Sequence, residues 1–248
     1  MTPNIVSREE WLAARKALLA NERELTHLRD RVNAERRALP WVRVETDYVF
    51  DSANGPKTLA DLFQGRSQLF VQHFMLAPGS DHICHGCAAT SDGVDAARRH
   101  FEQADLSFAA VSRATVDQIE AVKRRMGWTF TWVSSGNNSF NHDYGVAFTA
   151  EQIANRTTGY NFGTTDYAAE DLQGASVFAR NAAGAVFHTY SAYSRGVEPL
   201  FMPFHFLDMA PKGRNEDGVM SWVKLHDEYA PAPAGDAARL VPAGCCGD

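Results

Sequence analysis

Residues 67–87, SQLFVQHFMLAPGSDHICHGC, decide how the chain is read. Leu69 to Leu76 is a nearly continuous apolar run, which suits a strand buried on both faces of a sheet. Pro78-Gly79 turns the chain, and Cys84-His85-Gly86-Cys87 follows. Beyond it Val94, Ala97 and Phe101 recur at helical spacing, so the sequence predicts a helix from about the cysteine pair toward Gln103. Leu106–Val111 reads as the next buried strand. Thr115 and Gln118 form a capping box, Ile119, Val122 and Met126 an apolar face, and Gly127 a helix stop. A third strand is expected at Thr129–Val133. Strand, helix, strand, helix, strand is the pattern of βαβ crossovers in a largely parallel sheet, an α/β fold.

Upstream, Ser7 and Glu10 are spaced as a second capping box, which starts a long helix. Trp11, Leu18, Leu25 and Val32 recur every seven positions among Arg and Glu until Pro40. That narrow stripe fits a helical arm lying on its own domain or a homodimer contact through this N-terminal helix. Trp41–Phe50 alternates like a strand pair, Asn54-Gly55-Pro56 is a turn, and Leu59, Leu62 and Phe63 suit one helical turn. Downstream, Ser176–Arg180 and Ala185–Tyr190 flank Asn181-Ala182-Ala183-Gly184 as a hairpin, an antiparallel addition to the sheet. A last helical stretch is expected over Glu198–Met209, with Pro203 disturbing its first turn. From Ala230 the composition shifts to Ala, Pro and Gly. The expected organisation is a helical extension over 1–40, a domain over 41–229 and a flexible tail over 230–248.

The 248 residues, 45% hydrophobic and 22% charged, are enough for one sizeable core. A net charge of −6 without a Lys/Arg run argues against nucleic acid as a partner. No signal-peptide pattern or membrane-spanning run appears, so no membrane association and a cytoplasmic location are expected. Four cysteines are too few to staple the chain.

Two cysteines separated by two residues, where a buried strand gives way to a helix, have a specific use. The first helical turn offers unpaired N–H groups and partial positive charge, which favour a thiolate. Cys84 is then the candidate nucleophile and Cys87, one turn on, the resolving thiol. His85 and His82 are candidates to add positive charge. The same four residues, His82, Cys84, His85 and Cys87, are alternative zinc ligands in type, although structural sites usually draw two pairs from separate parts of the chain. A c-type haem is excluded because Ala88 follows the second cysteine. No cofactor is called for, and neither a serine-nucleophile motif nor a phosphate loop is present.

The segments SREEWLAARKALLANERELTHLRD (7–30), LPWVRVETDYVF (39–50), SQLFVQHFM (67–75), FAAVSRATVDQIEAVKRRMGWTFTWVSS (108–135) and SVFARNAAGAVFHTYSAYSRG (176–196), with Cys84 and Cys87, resemble a bacterial family of thioredoxin-like proteins catalogued as a domain of unknown function. The resemblance runs from about Val6 to Tyr229. It implies a thioredoxin-like three-layer fold with a mixed central sheet flanked by helices, and it carries no assigned reaction. A looser similarity reaches thioredoxins and peroxiredoxins, with two departures. Asp81 stands where the peroxidatic pattern has threonine, and no proline precedes the strand expected near Ser176.

The function these residues suggest is a thiol–disulfide oxidoreductase or thiol-dependent peroxidase, with an unknown redox partner or a small thiol or peroxide as substrate. The alternatives are a metal-binding or sensing protein using the same cluster, and a redox-inactive binding module. His73, inside the buried strand, is a candidate supporting residue. Cys245-Cys246 in the tail are a possible electron relay or soft-metal site. Residues 148–174, with Tyr160, Phe162 and Tyr167, read either as a lid over the cysteines or as an anchored surface loop. Asn141-His142-Asp143-Tyr144 reads as a polar loop, and His188 and Tyr190 as strand residues packing on the last helix.

Overall fold

The computed structural model describes residues 4–165, 167 and 169–230. Helix α1 (Arg8–Arg37) begins where expected, with Ser7 accepting the amide of Glu10 and Glu10 reaching back to Ser7. None of its residues is buried. The heptad side chains Trp11, Leu18, Leu25 and Val32 are 41–57% exposed. The arm therefore does not lie on its own domain. A helix of 30 residues is about 45 Å long and stands clear of the body over most of that length.

The expected strand pair at 41–50 divides between two sheets. β1 (Val42–Arg43) pairs antiparallel with a strand some 145 residues downstream, Val42 opposite His188, while β2 (Val49–Phe50) pairs with β3 (Lys57–Thr58). One 3-10 turn follows at Asp61–Phe63. Then come β4 (Gln68–His73), α2 (His85–Gln103), β5 (Leu106–Ser112), α3 (Val116–Met126) and β6 (Thr131–Ser134). The boundaries agree closely with the apolar pattern because each is fixed locally. Thr115 and Gln118 cap α3 reciprocally, and Gly127 ends it at φ 68°, a conformation glycine adopts without steric cost.

Short helices α4 (Phe140–Asp143), α5 (Ala150–Ala154) and α6 (Tyr160–Gly163) precede the hairpin β7 (Gly174–Arg180) and β8 (Val186–Tyr193). The expected terminal helix is a 3-10 stretch, Ser194–Leu200, and then a brief α7 (Met202–Leu207). Pro199 and Pro203 explain the break, since neither supplies an amide to a helical ladder.

The large sheet has the order β1-β8-β7-β4-β5-β6. β4, β5 and β6 are parallel, and β7 is antiparallel to β4 on its other edge. A parallel βαβ unit joined to an antiparallel hairpin across the central strand is the thioredoxin-like topology, with β6 and β1 as additions. Side chains alternate along β4, so the sheet has two distinct cores. Phe70, Phe74, Phe108 and Trp132 face α2 and α3. Leu69, Val71, Ala109 and Val111 face Tyr48, Phe50, Phe63 and Phe140, under the small β2–β3 sheet, the 3-10 turn and α4. Residues 201–225 form a strap across the outside of α2, with Phe201, Phe204, Met220 and Val223 packing on Ala89. No helix among the described residues is long and apolar enough to cross a membrane.

Candidate active site

The central strand ends at His73, and the chain runs on through Phe74 and the Pro78-Gly79 turn to the start of α2. Cys84 is the N-cap of that helix. Its sulfur accepts the amide of Cys87 at 3.4 Å, satisfying one of the donors that a helix start leaves free. Cys84 is half-buried, whereas Cys87, on the inner side of the turn, is 5% exposed and packs in the core that faces α2. Both thiols are free. The Cys87 carbonyl is held by Gln72 Nε2 at 3.0 Å, and Ser91 donates to the other end of the same amide at 3.0 Å, so β4 fixes the turn in place.

This setting separates the two thiols chemically. A hydrogen bond from the Cys87 thiol brings the Cys84 pKa down to about 7, aided by the amides of Cys87 and Gly86 and opposed by burial. The same bond, together with burial, pushes Cys87 well above the ordinary thiol range. Cys84 is thus the more readily ionised of the two thiols, and Cys87 the one that holds its proton more tightly.

The other expected residues are placed differently. His85 is half-exposed and its Nε2 faces Glu228 at 3.9 Å, while His82 is exposed with its ring 6.1 Å from that of His85. The groups that favour the Cys84 thiolate all belong to the helix turn, not to an imidazole. Among the described residues, no three His, Cys, Asp or Glu side chains come together as metal ligands, so His82, Cys84, His85 and Cys87 do not form the alternative zinc cluster. His73 points to the opposite face of the sheet from Gln72 and Cys87, against Phe140 and Tyr144, and does not support the cysteine pair. Alternation along β4 is the reason. Cys245 and Cys246 lie outside the described residues.

Residues 148–174 are anchored to the body through their aromatics. Tyr160 is buried, donates to the Gln173 carbonyl at 2.6 Å and accepts the Ser194 amide at 2.8 Å, which ties the segment to the ends of β7 and β8. Phe162 is exposed and packs on Tyr193. Residues 141–144 are likewise structural: Asp143 accepts from Tyr48 and Ser139, and Asn141 from Ser135. His188 packs against Tyr144 and Phe178 rather than on the last helix.

Two neighbours of the cysteines escaped the sequence reading. A Cβ at Gly86 would lie 3.1 Å from the Met220 methyl, so the strap runs directly over the residue between the cysteines. Asp92, on α2, accepts from Trp128 Nε1 at 2.7 Å and His226 Nδ1 at 2.8 Å, fastening the strap to α2 and to the β6 side. Glu228 and Asp227 pair with Arg125 of α3. No spacing rule joins residues about 130 positions apart.

A thioredoxin-like body with a cysteine-capped helix and a long N-terminal arm is the class of protein these features define. Residues 1–229 match the family described as bacterial protein of unknown function, DUF899, and the chain belongs to it. No curated protein sequence matches the chain. Among solved structures, it is similar to the peroxidoxin BcpB of Mycobacterium tuberculosis, at 11% identity and a TM-score of 0.44, over 66% of this chain and 93% of that one. It is also similar to peroxiredoxin Q of Xanthomonas campestris, at 14% identity and a TM-score of 0.44, over 63% of this chain and 86% of that one. A third is reduced Prx3 of Vibrio vulnificus in complex with hydrogen peroxide, at 13% and 0.42, over 63% and 85%. Likenesses this distant carry nothing about activity.

Proposed function

We propose that the protein is a thiol–disulfide oxidoreductase in which Cys84 attacks and Cys87 resolves. The observation that carries this reading is the Cys84 sulfur at the N-cap of α2, held by the Cys87 amide. The Cys84 thiolate attacks one sulfur of a substrate disulfide, whose S–S bond breaks and whose second sulfur leaves as a thiolate and takes up a proton. The Cys87 thiol then loses its proton and attacks the Cys84 sulfur of the mixed disulfide. An intramolecular disulfide forms, the substrate leaves as dithiol, and two electrons have passed to it. The high pKa of Cys87 keeps it protonated until the mixed disulfide removes the negative charge beside it.

Disulfide exchange is favoured over peroxide reduction by the surroundings of Cys84. Asp81, exposed, stands where the peroxidatic pattern has a threonine. The donors to Cys84 are backbone amides and one thiol, with no guanidinium among the groups that lower its pKa. A metal-holding role is disfavoured because, among the described residues, no three His, Cys, Asp or Glu side chains are grouped as ligands.

The test is equilibration of the full chain in glutathione redox buffers, followed by mass spectrometry of the thiols. A Cys84–Cys87 disulfide forming cooperatively, and reduction of bis(2-hydroxyethyl) disulfide that is lost in Cys84→Ser, are the expected results. A pair that never oxidises, with no turnover, would overturn the reading in favour of a redox-inactive module.

A further inference from the structure

An amide stands in the middle of the apolar face that β4 turns toward α2. Gln72, between Phe70 and Phe74 on that face, is 4% exposed. Its register partners are Ala110 on β5 and Ala175 on β7, both small and buried, so the neighbouring strands leave its side chain room to reach α2. Burying an amide costs free energy unless its polar atoms find partners. Those of Gln72 find theirs on α2, with Nε2 donating to the Cys87 carbonyl and Oε1 accepting from the Ser91 hydroxyl, each at 3.0 Å.

The chemistry of the partners fixes the direction of the amide. A carbonyl oxygen only accepts, so the end facing Cys87 must be the NH2 group, and the oxygen then faces Ser91, whose hydroxyl must donate. Ser91 is itself fully buried on α2. The helical ladder gives the Cys87 carbonyl the Ser91 amide as a partner four residues on, and Gln72 donates to its second lone pair.

This tether matters once Cys84 has reacted. Before attack, the Ala88 amide holds the turn at the Cys84 carbonyl at 2.9 Å, and the Cys87 amide holds it at the Cys84 sulfur at 3.4 Å. The bond to sulfur is strongest while that sulfur is a thiolate, because an ionised acceptor makes the stronger hydrogen bond. A mixed disulfide removes the charge and weakens the bond at the moment when Cys87 must make its own attack. The Gln72 bond ends on a carbonyl and is indifferent to the state of Cys84.

We propose that Gln72, oriented by Ser91, is a positioning residue for the resolving step: it keeps Cys87 seated against β4, within reach of the Cys84 sulfur, after the mixed disulfide has formed. This role rests on the redox reading above and divides its labour. The first turn of α2 serves the attack, and β4 serves the resolution.

The experiment follows the reduced full-length chain, carrying Cys245→Ser and Cys246→Ser, as it reacts with excess dithiobis(nitrobenzoate) in a stopped-flow spectrometer. The Cys84 thiolate attacks the S–S bond of the reagent and releases one thionitrobenzoate. Cys87 then loses its proton, attacks the Cys84 sulfur and releases the second, so the dithiol becomes a disulfide and the reagent takes up its two electrons. The first release depends on reagent concentration and the second does not.

Gln72→Met keeps the length and apolar fit of the side chain without its amide. Its first phase should match the wild type within about twofold, and its second should be slower by roughly three- to tenfold, the scale of one buried hydrogen bond. Ser91→Ala is the milder change and carries the test if Gln72→Met does not fold. It should slow the second phase by roughly twofold and leave the first unchanged. A second phase unchanged in the variants that fold, or both phases slowed alike, would overturn the role of Gln72 and leave the redox reading intact. A wild type that releases no thionitrobenzoate, or whose second release scales with reagent concentration, would overturn the redox reading and this role with it.

Discussion

The amide of Cys87 donates to the sulfur of Cys84 across 3.4 Å, so the residue proposed to resolve a disulfide also helps make its partner nucleophilic. The thiol of Cys87 also favours the ionised form of that sulfur. A single helical turn thereby gives two like residues opposite tendencies to ionise.

The Cys87 thiol is the largest influence on Cys84, which fixes the outcome of two substitutions. Cys87→Ala removes the donor, and the Cys84 pKa should move up from about 7 toward the ordinary 9.0. Iodoacetamide alkylation of Cys84 at pH 7 should slow by roughly five- to tenfold, since one pKa unit is about a tenfold change in thiolate. Cys87→Ser keeps an O–H donor and should retain most of the rate.

Burial of His73 sets an acid limit on stability. Its folded pKa is lowered from 6.5 to about 3, so the unfolded chain binds the proton more readily and stability falls with falling pH. The contribution is complete above about pH 7.5 and decreases through the window down to about 3. By pH 5 the loss should be roughly 2 kcal/mol, with His188 adding in the same sense. Urea unfolding of the wild type and His73→Gln between pH 7.5 and 5 checks this: the variant's stability should vary less across that range.

Gly174 sits where β7 begins against the ring of Tyr193. A Cβ there would lie 2.7 Å from Tyr193 Cδ1 and 3.1 Å from a Val146 methyl. The Tyr193 ring cannot easily yield, because its hydroxyl is bonded to the Tyr144 carbonyl at 2.8 Å. Gly174→Ala should cost about 1–3 kcal/mol, the usual scale of overpacking, read as a lower urea midpoint at unchanged slope.

The bare α1 predicts association with a second copy. Trp11, Leu18, Leu25 and Val32 occupy one heptad position and Ala14, Asn21, Leu28 and Glu35 the other. In a parallel pair Glu10 and Glu24 of one copy face Arg15 and Arg29 of the other, while Arg31 opposes Arg36. Light scattering should give twice the mass of the chain, and Leu18→Glu with Leu25→Glu should give the monomer with the body still folded. A wild type that is monomeric at micromolar concentration would contradict it.

What the sequence made legible was what neighbours in sequence determine. Ser7 with Glu10 and Thr115 with Gln118 start their helices because the partners sit three residues apart, and Cys84 starts α2 for the same reason. Thr149 and Gln152 follow the same rule and were there to be read. Pairings across the chain were not legible. Val42 finds His188, His73 finds Ser176, and Asp92 finds His226 only once the sheet and the strap are assembled. The face on which His73 stands followed from strand alternation, but which face carries the cysteines depends on where the chain leaves β4. The spacing placed the two sulfurs on the first turn of α2, where they stand, while the positions of His85 beside Glu228 and of His73 against Phe140 depend on contacts made across the chain.

The most direct test of the redox account is the pH dependence of Cys84 alkylation in the reduced full chain, followed by mass spectrometry of the modified residue. A midpoint near 7 with Cys87 unreactive in the same range is the predicted result. A midpoint at or above 9.0, the value of an ordinary thiol, would contradict it.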